Sequence, residues 1–228
     1  MADTVALLDR RLYTYAQIDT VAGLNSGTAR RWLEGYTRRG TYFPPLLRSD
    51  STGDELATWG EFVEVDLVAR YRRKGISVIH LRPMIERLRE EVGGRYPLAQ
   101  AEPLVYGREL IWRIQGEEQI PKPLQIVMQL GDGQLVLAPL AEQFFESVEW
   151  EGSIARRIMP DGPGSPVRID PGFAFGRPTV RGIRTDRLAE AFRAGDSIEL
   201  LARGYEVEEA DVEAAIRHET NRASVKAA

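Results

Sequence analysis

Arg168-Ile-Asp-Pro-Gly-Phe-Ala-Phe-Gly-Arg-Pro-Thr-Val-Arg-Gly-Ile-Arg184 is the stretch on which the fold turns. Gly172, Gly176, Pro178 and Gly182 punctuate it at turn spacing, so it reads as a short β-ribbon. Helical signals follow at once. Residues 186–194 form a helix stopped by Gly195, and Asp196 with Glu199 has N-cap spacing ahead of an apolar stripe of Ile198, Leu201 and Ala202. Gly204 closes that helix. Residues 208–219 make a last one with Val212, Ala215 and Ile216 inward, and the tail from Asn221 is expected to fray.

The chain opens with a second helical pair of different charge. Thr14 and Gln17 have capping-box spacing, and the helix they start ends at Gly23. Asn25 or Ser26 is expected to cap the next helix, in which Ala29, Trp32, Leu33 and Tyr36 form a buried stripe opposite Thr28, Arg30, Arg31 and Glu34. Residues 38–48 read as a small wing. Thr58 and Glu61 repeat the capping box and open a helix with a basic last turn (Arg70, Arg72, Arg73, Lys74). Pro83 restarts a helical segment that ends at Gly93-Gly94.

Beyond Tyr96 the period changes. Residues 104–106 and 110–114 read as a hairpin around Gly107-Arg108. Residues 124–130 and 134–137 read as another around Gly131-Asp132-Gly133. A short helix over 141–147 and a strand pair at 148–150 and 154–158 complete a β-rich middle. Residues 161–166 are linker-like. The expected fold class is α+β in three parts: 1–95, 96–166 and 167–228.

Composition narrows the function. The 228 residues contain no cysteine, which excludes thiolate catalysis and Cys-based zinc sites. No stretch approaches the length of a membrane span and no leader is evident, so a cytoplasmic location with no membrane partner is expected. Residues 1–95 carry 15 Lys/Arg against 13 Asp/Glu, residues 96–166 carry 5 against 10, and residues 167–228 carry 10 against 11. A polyanion partner therefore belongs at the N-terminal end. Neither a nucleophile motif nor a His pair at ligand spacing is present; His218 reads as a solvated histidine. No catalytic residue, metal or cofactor is expected, and the chain is not expected to be an enzyme.

A helix-turn-helix sets the first turn of its second helix in the major groove. Here that turn offers Ser26 and Thr28 followed by Arg30 and Arg31, with Arg38 and Arg39 in the wing. Residues 13–36 resemble the opening of MerR-type winged helix-turn-helix regulators, and 68–77 resemble their later helix with a basic end. The resemblance implies base contacts around Ser26 to Arg31 and phosphate contacts from Arg38 and Arg39. Pro83 and the strands stand where such regulators carry a long dimerising helix.

The C-terminal block is similar to the small antitoxin domain known as domain-of-unknown-function family four hundred and thirty-three. The signature is Asp170-Pro-Gly, Gly176-Arg-Pro-Thr-Val-Arg-Gly-Ile-Arg184, 194–198, Tyr205 and 212–216. Ile183 and Thr185 depart from its common pattern. The whole layout resembles VapB-type antitoxins of the larger mycobacterial kind, which implies a PIN-type toxin ribonuclease encoded nearby as partner. The last helix begins with Glu208, Glu209, Asp211 and Glu213, which would repel phosphate. DNA is therefore expected at the N-terminal module and a protein partner at the C-terminal one, through Arg177, Arg181 or Arg184. A homodimer on operator DNA follows from the symmetry of palindromic sites. The rival expectation is a ligand-responsive MerR-like regulator without a toxin, its acidic middle holding a closed apolar pocket.

Overall fold

The computed structural model describes residues 7–74, 77–101, 104 and 107–227. Strand β1 (Arg11–Thr14) leads into α1 (Tyr15–Val21) through the expected capping box on Thr14. Helix α2 (Thr28–Glu34) is followed by a hairpin of β2 (Tyr36–Arg38) and β3 (Thr41–Phe43). β4 (Leu56–Thr58) pairs antiparallel with β1 and hands over to α3 (Trp59–Arg73), capped by Thr58 and Glu61 as their spacing predicts. Helix α4 (Arg82–Val92) carries Pro83 in its first turn and stops at Gly93, φ +75°.

The middle region departs from expectation at its start. Residues around 108–114 form no hairpin strand but helix α5 (Arg108–Glu117), while Val105 and Tyr106 lie outside the described residues. The apolar run is helical because Ile111, Ile114 and Gln115 share one buried face. The amide of Gln115 pairs with the next strand, donating to the Val127 carbonyl at 2.9 Å and accepting from Ile126 N–H at 2.6 Å. The Gly131-Asp132-Gly133 hairpin is present, as β5 (Val127–Gln129) and β6 (Leu135–Leu137), then α6 (Pro139–Glu146) and a second hairpin, β7 (Val148–Glu151) with β8 (Ile154–Ile158).

The ribbon is a three-stranded antiparallel sheet in the order β9 (Val167–Arg168), β10 (Thr179–Val180), β11 (Ile183–Arg184). Three helices follow: α7 (Thr185–Arg193), α8 (Ile198–Tyr205) and α9 (Glu209–Ala227). Three details differ from the reading of the sequence, the first being that α8 runs through Gly204 to Tyr205 and ends on Glu206 at φ +56°. Ser197, not Asp196, caps α8 by accepting from Leu200 N–H, and α9 continues past Asn221.

The architecture is mixed α and β with small antiparallel sheets. One core runs from Leu8 to Ile169 and so spans the boundary expected near residue 95. Its axis is α3, whose side chains from Trp59 to Tyr71 are all buried. Trp59 Nε1 donates to the Ala155 carbonyl at 2.7 Å, which fastens α3 to β8. Tyr96 packs flat on Gly60, where an added Cβ would stand 2.5 Å from the ring. A second, smaller core of Val167, Val180, Leu188, Leu201, Val212 and Ala215 holds the C-terminal module. The modules meet where the Tyr13 hydroxyl donates to the Gly176 carbonyl at 3.0 Å and Arg222 donates to the Thr20 carbonyl at 3.3 Å.

Candidate nucleic-acid interface

The turn between α1 and α2 is built by an acid from α1. Asp19 is buried and accepts from Gly27 N–H at 2.6 Å and Ala29 N–H at 2.7 Å. Burial pushes its carboxyl above the usual range, with the backbone N–H groups working against that shift. Neither Asn25 nor Ser26 caps α2. The cap position is Gly27 at φ +77°, a left-handed conformation suited to glycine. Asn25 and Ser26 are exposed as a result, and Arg30 and Arg31 follow on the solvent side. Thr28 is buried instead, its hydroxyl accepting from Arg31 Nη2 at 3.0 Å. Thr28 therefore positions Arg31 rather than offering itself to a partner.

The β2–β3 hairpin stands beside this turn. Arg39 and Gly40 form its two-residue tip at φ +51° and +78°, and Tyr36 stacks on Phe43 with ring centroids 4.8 Å apart. Tyr36 thus belongs to the hairpin and is exposed, while Trp32 is half-buried against the core. Arg38, Arg39 and Tyr42 are exposed along the hairpin. Gly35 is needed at its root, where a Cβ would lie 2.6 Å from the Phe43 carbonyl oxygen.

Between helix, hairpin and the far end of α3 lies a groove of about 890 Å³ lined by Arg31, Tyr36, Arg72, Arg73, Ile79 and Arg82 among others. Arg73 donates to the Ala22 carbonyl at 2.7 Å, and Arg82 donates to the Pro44 carbonyl. Among the described residues, Arg30, Arg31, Arg38, Arg39, Arg72, Arg73, Lys74 and Arg82 form no ion pair with a carboxylate. Many guanidiniums elsewhere are matched with acids, as in Arg70–Asp66, Arg113–Glu91 and Arg156–Asp170. Cations without direct ion pairs in and near a groove favour a polyanion, although Asp19 and Asp66 lie within charge range of Arg31 and Arg73.

Behind the groove sits a buried ionic knot centred on Arg48. Its guanidinium forks onto both oxygens of Glu61 (2.7 and 2.9 Å) and also reaches Glu34 and the Thr52 hydroxyl. Glu34 further accepts from the Ser51 hydroxyl and from the Thr52 and Gly53 N–H groups at 3.0 and 2.9 Å. Burial alone would raise the Glu34 carboxyl, but these donors and the Arg48 charge outweigh it and hold it down at about 2. The Tyr15 hydroxyl lies 2.7 Å from Glu34 and 2.5 Å from the Asp54 carbonyl. Burial and the Glu34 contact push it up to about 12. The knot ties α1, α2 and α3 into one rigid support. Neither Arg48 nor Glu34 is free for a partner.

The expected protein-contact arginines lie on the ribbon and are paired locally. Arg177 and Arg184 both approach Asp186, at 3.5 and 2.5 Å, while Arg181 holds Asp211 at 3.1 Å and keeps a 65% exposed side chain. Exposed apolar side chains cluster by sequence in the same module: Phe173, Phe175, Phe192, Leu200 and Tyr205. His218 is buried, not solvated, with Nδ1 2.8 Å from Asp161 in the linker-like stretch. Among the described residues, no cluster of His, Asp and Glu could hold a metal ion, and no helix is long and apolar enough to cross a membrane.

Over 211 residues the chain is 32% identical to the uncharacterized protein Rv2308 of Mycobacterium tuberculosis (strain ATCC 25618 / H37Rv), covering 88% of this chain and 86% of that protein. The chain belongs to the Rv2308 family. Residues 167–218 of this Rv2308-family chain also match the family described as a protein of unknown function, DUF433. The crystal structure of Rv2018 from Mycobacterium tuberculosis matches it with a TM-score of 0.72 at 21% identity, covering 92% of this chain and 99% of that one. At that identity the likeness shows a shared fold.

In this Rv2308-family chain the roles of Asp19 in the turn and of Arg72, Arg73 and Arg82 in the groove were not legible in the sequence. The basic end of α3 was visible as a run of cations, but nothing local places it beside Arg31. Asp19 carries no signal at all, because an acid in mid-helix is ordinarily solvated.

Proposed function

We propose that this protein is the antitoxin of a type II toxin–antitoxin pair, which neutralises a PIN-type toxin ribonuclease and represses its own operon by binding operator DNA. The observation that carries the DNA half is the groove lined by Arg31, Arg72, Arg73 and Arg82, none of them in a direct ion pair among the described residues, with Ser26, Arg30, Arg38 and Arg39 exposed nearby. In this reading α1, α2 and the β2–β3 hairpin act as a MerR-like winged helix-turn-helix, α2 meets base edges, and the hairpin and the end of α3 meet phosphates. Thr28 acts through Arg31. Two copies of the chain would engage a palindromic operator.

The toxin half is supported by the resemblance of the C-terminal block and by its exposed aromatic and aliphatic side chains beside arginines, a composition favoured in protein interfaces. Arg181, the most exposed of the three ribbon candidates, is the first choice for a bidentate contact with a toxin carboxylate, ahead of Arg177 and Arg184. Co-expression of the full chain with the product of the adjacent gene, followed by pull-down, tests this. Capture should survive Arg30→Ala with Arg31→Ala and should weaken on Arg181→Glu with Leu200→Asp. Capture that depends on Arg30 and Arg31 instead would reverse the division of labour.

One observation favours a second reading, a ligand-responsive MerR-like regulator without a toxin partner. A cavity of about 310 Å³ lies between α1 and the C-terminal module, lined by Tyr13, Gln17, Thr20, Phe175, Thr185 and Arg222 among others. It touches the first helix of the DNA-reading pair, away from the acidic middle region where such a site was expected.

A further inference from the structure

A separate cleft of about 550 Å³ lies between the β7–β8 hairpin and the ribbon, with Glu149, Arg157, Arg168, Phe173, Thr179 and Arg181 in its lining. Its size falls within the roughly 300–1,000 Å³ of small-molecule sites. Three guanidiniums meet there, each anchored by part of its hydrogen-bonding edge. Arg157 uses Nε on Asp170 at 2.6 Å and Nη1 on Glu149 at 3.3 Å. Arg168 uses Nε on Glu149 at 2.7 Å and Nη1 on the Ser165 and Val167 carbonyls. Arg181 uses only Nε, on Asp211 at 3.1 Å. Among the described residues, Nη2 of Arg157, Nη2 of Arg168 and both Nη groups of Arg181 therefore keep their hydrogen-bonding capacity. The acids that face them, Glu149 and Asp170, are already engaged, Asp170 also by Arg156 at 2.6 Å and by Gly172 N–H at 2.7 Å. Anchored guanidiniums with free N–H groups are pre-oriented donors for a planar oxyanion.

Two further observations point the same way. Arg181 and Gly182 form the two-residue turn between β10 and β11, at φ +49° and +84°. The turn places both residues in the cleft lining, with Arg181 held there only through Nε. Phe173 is 48% exposed and its ring lies over Gly182, where an added Cβ would sit 3.5 Å away. A half-exposed aromatic ring thus shares the cleft lining with the three arginines.

We propose that this cleft binds a small anion carried on a planar ring, with phosphate or carboxylate oxygens on the arginines and the ring against Phe173. The site is separate from the cationic groove, but it shares Arg181 and Phe173 with the surface proposed for the toxin, so the binding test below uses the chain without a toxin present. Isothermal titration calorimetry of the full chain with adenosine monophosphate, benzoate and inorganic phosphate tests it. At least one ring-bearing anion should bind tenfold or more tightly than inorganic phosphate, and whichever binds identifies the oxyanion. Arg181→Gln and Phe173→Leu should each weaken that binding at least tenfold while both variants keep the far-ultraviolet circular dichroism of the folded wild type at the titration temperature. Failure of both ring-bearing anions to saturate, equal binding of inorganic phosphate, or wild-type binding by both variants would overturn the proposal.

Discussion

Replacing Arg48 by alanine should damage the support of the cationic groove more than any surface change. The guanidinium is buried and neutralises the buried Glu61 and the part-buried Glu34, while also holding the Thr52 hydroxyl. Removing one partner of a buried ion pair costs about 3–5 kcal/mol, because the remaining charge stays buried without compensation. Against a total stability of about 5–15 kcal/mol, such a loss is large. In a chain of this size it corresponds to a fall in melting temperature of about 6–20 °C. Urea denaturation at several pH values is the assay, and the pH dependence separates this mechanism from simple loss of packing. In the wild type Glu34 titrates at about 2, below its ordinary 4.5, so its stabilisation is present above 4.5 and is lost as pH falls toward about 2. Without Arg48 the Glu34 carboxyl keeps its Ser51, Tyr15 and Gly53 donors but loses one of the charges that hold it down, so it moves back up toward its ordinary value. The interaction lost in the variant exists only while Glu34 is ionised, so the deficit should shrink as pH falls from about 4.5 toward 2. A loss below about 1 kcal/mol, or a deficit independent of pH, would refute this reasoning.

Two further perturbations probe the same framework. Asp19→Ala leaves the N–H groups of Gly27 and Ala29 without their acceptor and should cost about 1–2 kcal/mol in urea denaturation, the scale of a lost helix cap. Glu64 is fully buried, with Oε1 accepting from Leu98 N–H at 3.0 Å and Oε2 unpartnered, and burial pushes its carboxyl up to about 8. Its native value lies above its unfolded one, so stability is lost as pH rises from 4.5 through about 8, on the order of 3–5 kcal/mol. Glu64→Gln should therefore gain on the wild type as pH is raised from about 5 to 9 in thermal unfolding, and parallel curves would count against a neutral Glu64.

The parts of the fold that sequence made legible are those whose signals are local. The capping boxes at Thr14 and Thr58, the Gly131-Asp132-Gly133 hairpin and the stop at Gly195 each rest on residues within a few positions of one another. What stayed hidden depends on distant partners. The run around Ile111 resembles a strand until the amide of Gln115 is seen against Ile126 and Val127. Arg48 resembles one more cation of a wing until Glu34 and Glu61 close around it. His218 finds Asp161 across 57 positions, a pairing that spacing cannot suggest. The same limit applies to the groove: its near side, from Ser26 to Arg39, was readable, whereas Arg72, Arg73 and Arg82 join it only through the packing of α3 and α4 against α1 and the hairpin.

The most direct measurement is the salt dependence of binding to the DNA immediately upstream of the coding sequence, followed by fluorescence anisotropy. Each phosphate contact contributes about 0.9 to the slope of log K against log salt concentration. Arg30→Ala with Arg31→Ala should weaken binding and flatten the slope by about one to two units, Arg72→Ala with Arg82→Ala should flatten it to a similar degree, and Arg181→Gln should leave it unchanged. An unchanged slope in the groove variants, or a flattened one in Arg181→Gln, would contradict the assignment of DNA to the N-terminal groove.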